Sequence, residues 1–243
     1  MAVPAEFTGK VALITGVGRV GQVGHAIAES FGRAGARLVI ADVNGEALAA
    51  RVDEFTAQGF AVRGAAGNLT QPEAARAAVD TARASFGGLD VVINVAGGLL
   101  NYGSALDIRV DAFQRELAVN LTTTWCVSQA AIPSLVERGG GAIVNFASVA
   151  VLTPQSQMAA YSAAKSAVAG LTRALAHEFR DRHVRVNAVA PGTLRTADNV
   201  AQMGEKGARF VELSDLVDAV LFLASDAARA ISGIVLPVTG GEG

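Results

Sequence analysis

Short apolar runs alternate with longer segments of helical periodicity along the whole chain. Seven short runs with β-branched residues are predicted to be strands, and most of them are nearly continuous in apolar side chains, which is typical of buried parallel strands. The predicted strands are residues 11–15, 37–41, 61–65, 89–94, 142–147, 184–188 and 234–238. The predicted helices are residues 25–34, 45–57, 71–86, 105–118, 121–137, 156–179 and 214–225. This alternation predicts an α/β fold, with a parallel sheet, right-handed crossovers and helices on both faces.

The length of the chain suits a single large α/β domain. Of its 243 residues 51% are apolar and 17% are charged, so a sizeable core can be buried. The sequence contains no linker, internal repeat or low-complexity segment, and we expect residues 1–243 to form one domain. The least regular stretch, residues 192–212, is a candidate lid. Ligands of such sheets bind beyond the carboxyl ends of the strands, so we expect the functional residues at those ends.

Charge and composition narrow the classes of partner. The formal net charge is −2 and the positive residues are scattered, so we expect no nucleic-acid surface. No apolar run is long enough to span a bilayer, and residues 1–8 lack the pattern of a secretory signal. The only cysteine, Cys126, is interpreted as a buried inert thiol, and the spacing of the histidines predicts no metal site. We therefore expect a soluble protein of a reducing compartment, the cytoplasm.

A glycine-rich segment follows the first predicted strand and leads into a helix. Gly16, Gly18 and Gly21 have the G-x-G-x-x-G spacing, and Gly24 stands next to the helix start. Glycines let the backbone approach a pyrophosphate, whose charge is met by N–H groups at the helix start. A glycine-rich surface turn is the alternative, but the flanking strand and helix favour a dinucleotide site.

Two residues bear on the choice of dinucleotide. Asp42 closes the second predicted strand, where a carboxylate can accept hydrogen bonds from a ribose 2′-hydroxyl and repels a 2′-phosphate. Arg19, inside the glycine segment, favours NADP instead, because its guanidinium group could pair with that 2′-phosphate. We give Asp42 more weight, so NAD is favoured and NADP stays open. Asp42 could also cap the following helix.

The segment from Asn94 to Gly97 follows the fourth predicted strand, again at a carboxyl end. Its small residues would let the chain pass close beneath an adenosine. The alternative is an ordinary turn between a strand and a loop.

Tyr161 and Lys165 lie four residues apart in the predicted helix 156–179, so their side chains share one face. A free tyrosine has a pKa of roughly 10 and exchanges protons poorly at neutral pH. A nearby ammonium group favours the phenolate, so we expect Lys165 to lower the pKa of Tyr161. A lowered pKa suits acid–base chemistry on an alcohol or a ketone. Taken alone, a tyrosine and a lysine at this spacing are also typical of a solvated helix face. A catalytic interpretation of Tyr161 and Lys165 therefore depends on the other motifs.

Together these motifs resemble the short-chain dehydrogenase/reductase family from Lys10 to Gly241. The residues that carry the resemblance are Thr15 with the glycine segment, Asp42, Asn94 to Gly97, Asn120, Ser148, Tyr161, Lys165, Pro191, Gly192, Thr196 and the segment from Asp226 to Gly241. The resemblance implies a Rossmann-type, doubly wound sheet of seven strands in a three-layer αβα arrangement. It also implies NAD(P)-dependent interconversion of a secondary alcohol and a ketone, and a dimer or tetramer. Small apolar residues on several faces of helices 121–137 and 156–179 allow such a homo-oligomer.

The resemblance further implies roles for single residues. Tyr161 would be the acid–base residue, and Ser148 would hold the substrate oxygen. Lys165 would bind the nicotinamide ribose and lower the tyrosine pKa, and Asn120 would hold a water linking Lys165 to solvent. The implied dinucleotide-binding residues are Gly16, Gly18, Arg19, Gly21, Val23, Gly24, Asp42, Asn68, Leu69, Asn94, Ala96, Gly97, Tyr161, Lys165, Pro191, Gly192 and Thr196.

The chain departs from the family pattern at two points. The family's loop, Thr-Gly-x-x-x-Gly-x-Gly, would require glycine where Val20 and Gln22 stand. If Gly24 is the last glycine, the loop carries two extra residues, with Gly21 or Gln22 in the middle place. Asn68 stands where the family often has aspartate, and its amide can still touch an adenine.

The expected substrate pocket is mostly apolar. Its walls would be Leu99, Leu100, Tyr102, residues 149–152, Gln155, Met158 and Leu194, with Ser148, Tyr161, Leu99, Gln155 and Leu194 touching the substrate. Apolar walls suggest a neutral carbonyl or secondary alcohol. Arg195 could clamp a carboxylate or be a solvated lid residue. A 3-oxoacyl reductase-like role, a secondary-alcohol dehydrogenase and a polyol or sugar dehydrogenase stay open. A non-catalytic dinucleotide sensor and a lyase or epimerase of the same fold are the rival classes.

Overall fold

A computed structural model describes residues 6–205 and 209–240. Within these ranges seven parallel strands form one sheet in the order β3-β2-β1-β4-β5-β6-β7. The strands are β1 (Val11–Thr15), β2 (Arg37–Asp42), β3 (Val62–Ala66), β4 (Val91–Asn94), β5 (Gly141–Phe146), β6 (Val184–Pro191) and β7 (Val235–Val238). The helices are α1 (Val23–Arg33), α2 (Gly45–Ala57), α3 (Pro72–Phe86), α4 (Val110–Leu117), α5 (Thr123–Glu137), α6 (Ala159–Glu178), α7 (Ala197–Met203) and α8 (Leu213–Ala224). The predicted doubly wound, Rossmann-type sheet is confirmed.

Two apolar layers enclose the sheet. Successive side chains of a strand point to opposite faces, so Ala12 and Ile14 of β1 join one core cluster while Val11 and Leu13 join the other. The first cluster packs beneath α1, α2 and α8, and the second beneath α3, α5 and α6. All residues of β1 and β4 are buried, as their continuous apolar runs predicted. The result is the expected three-layer αβα arrangement.

Several element ends differ from the sequence-based prediction. The helix predicted from residue 105 begins at Val110, because the preceding residues form a turn closed by the Asp107 N–H and the Ser104 carbonyl (3.0 Å). A π-helical turn, Ala118–Thr122, joins α4 to α5. Strand β6 continues beyond its predicted end to Pro191, which pairs with Val238 of β7.

Helix α7 lies in the described part of the candidate lid and was not predicted from the sequence. Its base is closed by a parallel bridge between Leu194 and Val211. The predictions for residues 1–8, for the lid 192–212 and for the resemblance up to Gly241 each include residues outside the described ranges. Among the described residues, no helix combines the length and the apolarity needed to cross a membrane.

Candidate active site

The motifs singled out in the sequence meet at the carboxyl edge of the sheet. The glycine segment follows β1, the Val95–Asn101 loop follows β4, and Ser148 comes directly after β5. Because parallel strands end at the same edge, these segments lie together although they are far apart in sequence. Helix α6 crosses this edge and contributes Tyr161 and Lys165.

The Ser148 hydroxyl lies close enough to the Tyr161 phenol to lower the pKa of that phenol. Ser148 is buried at the start of a short 3₁₀ turn, where its Oγ accepts a hydrogen bond from the Ala150 N–H (3.2 Å). This contact fixes the serine hydroxyl beside the phenol. The predicted neighbourhood of the two side chains is therefore present in the structure.

Lys165 is buried one turn of α6 away from Tyr161. Its Nζ donates a hydrogen bond to the carbonyl oxygen of Phe146 (2.8 Å) and lies 5.7 Å from the centre of the Tyr161 ring. Burial lowers the pKa of Lys165 to about 8, although the nearby Glu116 carboxylate acts in the opposite direction. The ammonium group therefore changes its charge closer to neutral pH than a surface lysine does.

The expected lowering of the Tyr161 pKa is not what the structure gives. Burial raises the pKa of the Tyr161 phenol, the hydrogen bond with Ser148 lowers it, and the charge of Glu116 raises it further. The sequence-based argument considered the attraction of Lys165 but could not include desolvation. In this structure the apolar surroundings outweigh the favourable contact.

Asn120 lies in the π-helical turn, and its amide is completely engaged. Its Oδ1 accepts from the Gly98 N–H (3.0 Å), and its Nδ2 donates to the carbonyl oxygens of Gly98 (2.9 Å) and Glu116 (3.0 Å). Gly97 passes so close that an added Cβ would lie 2.7 Å from Asn120 Oδ1 and 3.6 Å from Lys165 Nζ. Gly97 also has a φ of +147°, which favours glycine. This close approach brings the loop after β4 onto the catalytic group.

The glycine segment ends at Gly24, as the alternative with two extra residues proposed. Helix α1 begins at Val23, and a Cβ on Gly24 would overlap the carbonyl oxygen of Gly16. Gly24 is therefore needed for the close contact between the helix and the loop. Among the described residues, no side chain caps the N-terminus of α1 and no acidic residue lies in its first turn. Its N–H groups can bind an anion, so the residues present fit the pyrophosphate of a dinucleotide.

Asp42 and Arg19 lie in different electrostatic settings. The Asp42 carboxylate accepts hydrogen bonds from the backbone N–H groups of Gly18 (2.8 Å) and Asn44 (2.9 Å). Asp42 does not cap α2, since that position is taken by Asn44. Arg19 forms an ion pair with Asp198 of α7 (2.5 Å). The carboxylate thus stays at the end of β2, whereas Arg19 is held by the lid.

Comparison with known proteins agrees with this geometry. The profile of the family described as short chain dehydrogenase matches residues 10–206. D-threitol dehydrogenase of Mycolicibacterium smegmatis is 35% identical over 96% of this chain and 92% of that protein. Cyclohexanol dehydrogenase of an Acinetobacter species is 35% identical over 97% of this chain and 95% of that protein. The chain belongs to the short-chain dehydrogenase family.

A solved structure supports the same assignment. A gluconate 5-dehydrogenase from Burkholderia cenocepacia, in complex with NADP and tartrate, has a TM-score of 0.90 and 31% identity, over 98% of this chain and 96% of that chain. This short-chain dehydrogenase is accordingly an oxidoreductase that acts on CH–OH groups with a nicotinamide dinucleotide. The family and the reaction class predicted from the sequence are confirmed.

Three residues that the sequence assigned to ligands have side chains turned elsewhere. The Asn94 amide is buried and donates to Ser128 Oγ (3.1 Å) and Asn145 Oδ1 (2.8 Å). Leu69 lies in the second core cluster. Leu194 is 8% exposed and lies in the first core cluster, so little of its side chain is accessible in this dehydrogenase. The contacts of these three positions with a ligand stay predictions, and the direction of their side chains depends on packing that the sequence does not show.

The remaining predicted cofactor residues lie along the dinucleotide edge. Val23 is half-buried against the first core cluster, and the Ala96 N–H donates to Thr15 Oγ1 (3.0 Å). Asn68 is exposed, and its Oδ1 accepts from the Thr70 N–H (3.1 Å). The other positions after β1 and β6 are Gly21, which faces Ala197 of α7, half-buried Pro191 and Gly192, and buried Thr196, which caps α7.

Of the predicted substrate residues, Leu99 lies on the loop after β4 and Gln155 on the loop before α6, and both are exposed. The loop that carries Leu99 meets the loop that carries Gln155, since the Gly103 N–H donates to the Gln157 carbonyl (2.9 Å). Arg195 binds Glu212 (2.7 Å) and lies over the Phe210 ring, so it is occupied within the lid.

Sequence reasoning missed Glu116, which is completely buried and influences both Tyr161 and Lys165. A signal was available, because Glu116 lies four residues before Asn120 and shares its helix face. Asp198 was missed for a different reason. Its partner Arg19 is 179 positions away, and no local pattern connects them.

Proposed function

We propose that this protein is an NAD-dependent dehydrogenase of neutral, mainly apolar secondary alcohols, with Tyr161 as its acid–base residue. The observation that carries the proposal is the convergence of Ser148, Tyr161 and Lys165 at the carboxyl edge of the sheet. A hydroxyl, a phenol and an ammonium group in one buried place are what proton exchange with an alcohol or ketone requires.

Each residue has a separate task in alcohol oxidation. Ser148 holds the substrate oxygen, and Tyr161 as phenolate accepts the hydroxyl proton. A bound nicotinamide dinucleotide supplies the hydride acceptor. Lys165, while protonated, stabilises the phenolate and orients the ribose. Asn120 keeps the loop after β4 next to Lys165 through its bonds with Gly98. In ketone reduction the tyrosine returns the proton.

The mouth of the cleft favours an apolar substrate. Large apolar side chains with exposed surface lie on the loop after β4, on the loop before α6 and on α7: Leu99, Leu100, Tyr102, Leu152 and Met203. Such an apolar rim commonly marks a binding surface. Arg195, the cation that could have clamped an acidic substrate, is paired with Glu212. A cyclic or branched secondary alcohol fits this surface better than a polyol.

Asp42 supports the preference for NAD. Its carboxylate is anchored by Gly18 and Asn44 and keeps a position where a ribose hydroxyl can bind and a 2′-phosphate is repelled. Arg19, the candidate partner of a 2′-phosphate, is engaged with Asp198.

The test is an initial-rate screen with cyclohexanol and D-threitol, each with NAD⁺ and NADP⁺, following the absorbance of the reduced cofactor. We expect the highest kcat/KM with cyclohexanol and NAD⁺. Tyr161→Phe should lower kcat about a thousandfold, because acid–base catalysis contributes roughly 10²–10⁴-fold, while NADH still binds. Ser162→Ala, on the neighbouring position of α6, is the matched control and should keep its activity. Unchanged turnover in Tyr161→Phe would contradict the mechanism.

We also propose that residues 1–243 form one domain with a lid over the cleft, and that the protein is a cytoplasmic homodimer or homotetramer. Trp125 of α5 and Phe222 of α8 each expose 42% of their surface, which offers apolar faces to a second copy. Burial raises the pKa of the Cys126 thiol, in keeping with an inert cysteine. Sedimentation decides the assembly, and a monomer at micromolar concentration would contradict it.

A further inference from the structure

Glu116 is a completely buried carboxylate beside the catalytic group. It lies on α4, one turn before the π-helical turn that carries Asn120. A buried carboxylate is costly unless several donors surround it, so its partners indicate what it does.

Most of its partners belong to one loop. The carboxylate accepts hydrogen bonds from the backbone N–H of Leu100 (3.2 Å to each oxygen) and from the backbone N–H of Asn101 (2.9 Å). It also accepts one from the Asn101 side-chain amide (2.8 Å). Three donors from two consecutive residues thus converge on one side chain. An amide in its place has a single acceptor oxygen and could not hold them all.

Glu116 also fixes the orientation of Asn120. The Asn120 Nδ2 faces three oxygens: the Gly98 carbonyl (2.9 Å), the Glu116 carbonyl (3.0 Å) and Glu116 Oε1 (3.3 Å). This set fixes the amide so that Oδ1 meets the Gly98 N–H and Nδ2 meets the Gly98 carbonyl. Glu116 and Asn120 therefore clamp the same loop at both of its ends, at residues 98 and 100–101.

We propose that Glu116 is a positioning residue for the substrate, which holds the loop 98–101 and its side chains Leu99 and Leu100 as a fixed wall beside Tyr161. The inference rests on the proposed function and deepens it, because it identifies what keeps the apolar rim in place. Leu99 and Leu100 are 40% and 53% exposed, so packing around their side chains does not hold them. The hydrogen bonds to Glu116 supply that constraint.

The test combines kinetics with hydrogen exchange on the full-length protein. Glu116→Gln keeps the size of the side chain and removes acceptors, whereas Asp111→Asn makes the same exchange of groups on the exposed side of α4. In Glu116→Gln we expect the KM for cyclohexanol to rise about tenfold or more, since a hydrogen bond to a charged group is worth about 1.5–3 kcal/mol. The kcat at its pH optimum should change less than about threefold, because Ser148, Tyr161 and Lys165 are intact. The loss of the Glu116 charge should shift the pH profile of kcat to lower pH, since that charge raises the pKa of both Tyr161 and Lys165. Asp111→Asn should match the wild type in both KM and kcat.

Hydrogen exchange of a peptide covering residues 98–103 gives the second readout. The Leu100 and Asn101 amides should exchange faster in Glu116→Gln than in the wild type, with no change in peptides of β2 or α2. If Glu116→Gln does not fold, Asn101→Ala, which removes one donor from outside the helix, should give a smaller change in the same direction.

The outcomes separate the two proposals. Unchanged exchange at residues 98–103, or faster exchange without a rise in KM, overturns the role of Glu116. A wild-type protein that oxidises no alcohol, together with faster exchange in Glu116→Gln, overturns the proposed function and supports the anchoring of the loop.

Discussion

Arg19 of the glycine segment and Asp198 of α7 form an ion pair that joins the cofactor end of the fold to the lid. The Arg19 side chain is 68% exposed and the Asp198 side chain 36% exposed, so the pair contributes only about 0–1 kcal/mol to stability. The ion pair matters because Arg19 is the one cationic residue of the glycine segment, and Asp198 engages its guanidinium group. We therefore expect cofactor choice to depend on a residue of the lid as well as on Asp42.

Asp198→Asn should release Arg19 and improve the use of NADP⁺. We expect the ratio of kcat/KM for NADP⁺ to that for NAD⁺ to rise about fivefold, since a freed guanidinium can pair with the 2′-phosphate at a gain of about 1 kcal/mol. Initial rates with both cofactors measure the ratio. Asp215→Asn, which neutralises an exposed acid on α8, should leave it constant. An unaltered ratio in Asp198→Asn means that Arg19 does not reach that phosphate.

Lys165 makes the stability of the folded protein depend on pH. Burial lowers its pKa from 10.5 to about 8, so between these values the unfolded chain holds this proton more often than the folded protein. The stabilisation linked to Lys165 is thus complete above the unfolded pKa and is lost as the pH falls through about 8. Relative to Lys165→Met, the unfolding free energy of the wild type should rise by about 2 kcal/mol from pH 7.5 to pH 10.

Urea unfolding of both proteins at the two pH values checks this prediction. Arg173→Met removes an exposed cation from the same helix. The difference between its unfolding free energy and that of the wild type should be the same at both pH values. A constant difference for Lys165→Met would show that its ammonium group is not desolvated in the folded state.

Asn94 should matter for stability more than for cofactor binding. Asn94→Ala removes the donor that binds Ser128 Oγ and Asn145 Oδ1 in a buried network. We therefore expect the protein to be destabilised by about 2–3 kcal/mol. The Kd for NADH should change less than about threefold. Asn68→Ala, at an exposed asparagine also assigned to the cofactor, should be nearly neutral for stability. Chemical unfolding and NADH fluorescence give the two quantities, and a large loss of NADH affinity with normal stability would reverse this interpretation.

Gly24→Ala should disrupt the dinucleotide edge. The added methyl group would overlap the Gly16 carbonyl, so α1 must move away from the loop and its N–H groups lose their common direction. We expect NADH affinity to fall about tenfold or more and the protein to be destabilised by about 1–3 kcal/mol. Gly170→Ala in α6 has open space around the new Cβ and should be neutral or slightly stabilising. Normal NADH titration of Gly24→Ala would show that the close contact is not required.

The layered fold was predictable because most strands are nearly continuous apolar runs that alternate with longer helical segments along the chain. Helix α7 was not, since seven residues in an irregular stretch give little periodic signal. The positions of Ser148, Tyr161 and Lys165 followed from motif spacing and strand ends. The direction of the Leu194 side chain could not be predicted in this way, because it depends on the bridge with Val211 across the base of the lid.

The pKa of Tyr161 is an energetic property that could not be predicted from the sequence. A sequence places a lysine one helical turn away, but it does not report how many apolar atoms surround the phenol or that Glu116 lies nearby. Those contributions come from segments distant in sequence and become visible only when the chain is folded.

The π-helical turn at Ala118–Thr122 fits one more residue into its turn than an α-helix would. An extra residue in an unbroken α-helix would rotate α4 against α5 by about 100°. The wider turn absorbs that residue locally, so Glu116 can face the loop 98–101 while α5 keeps its buried side chains in the core. The length of the chain at this turn is therefore matched to the active site of this enzyme.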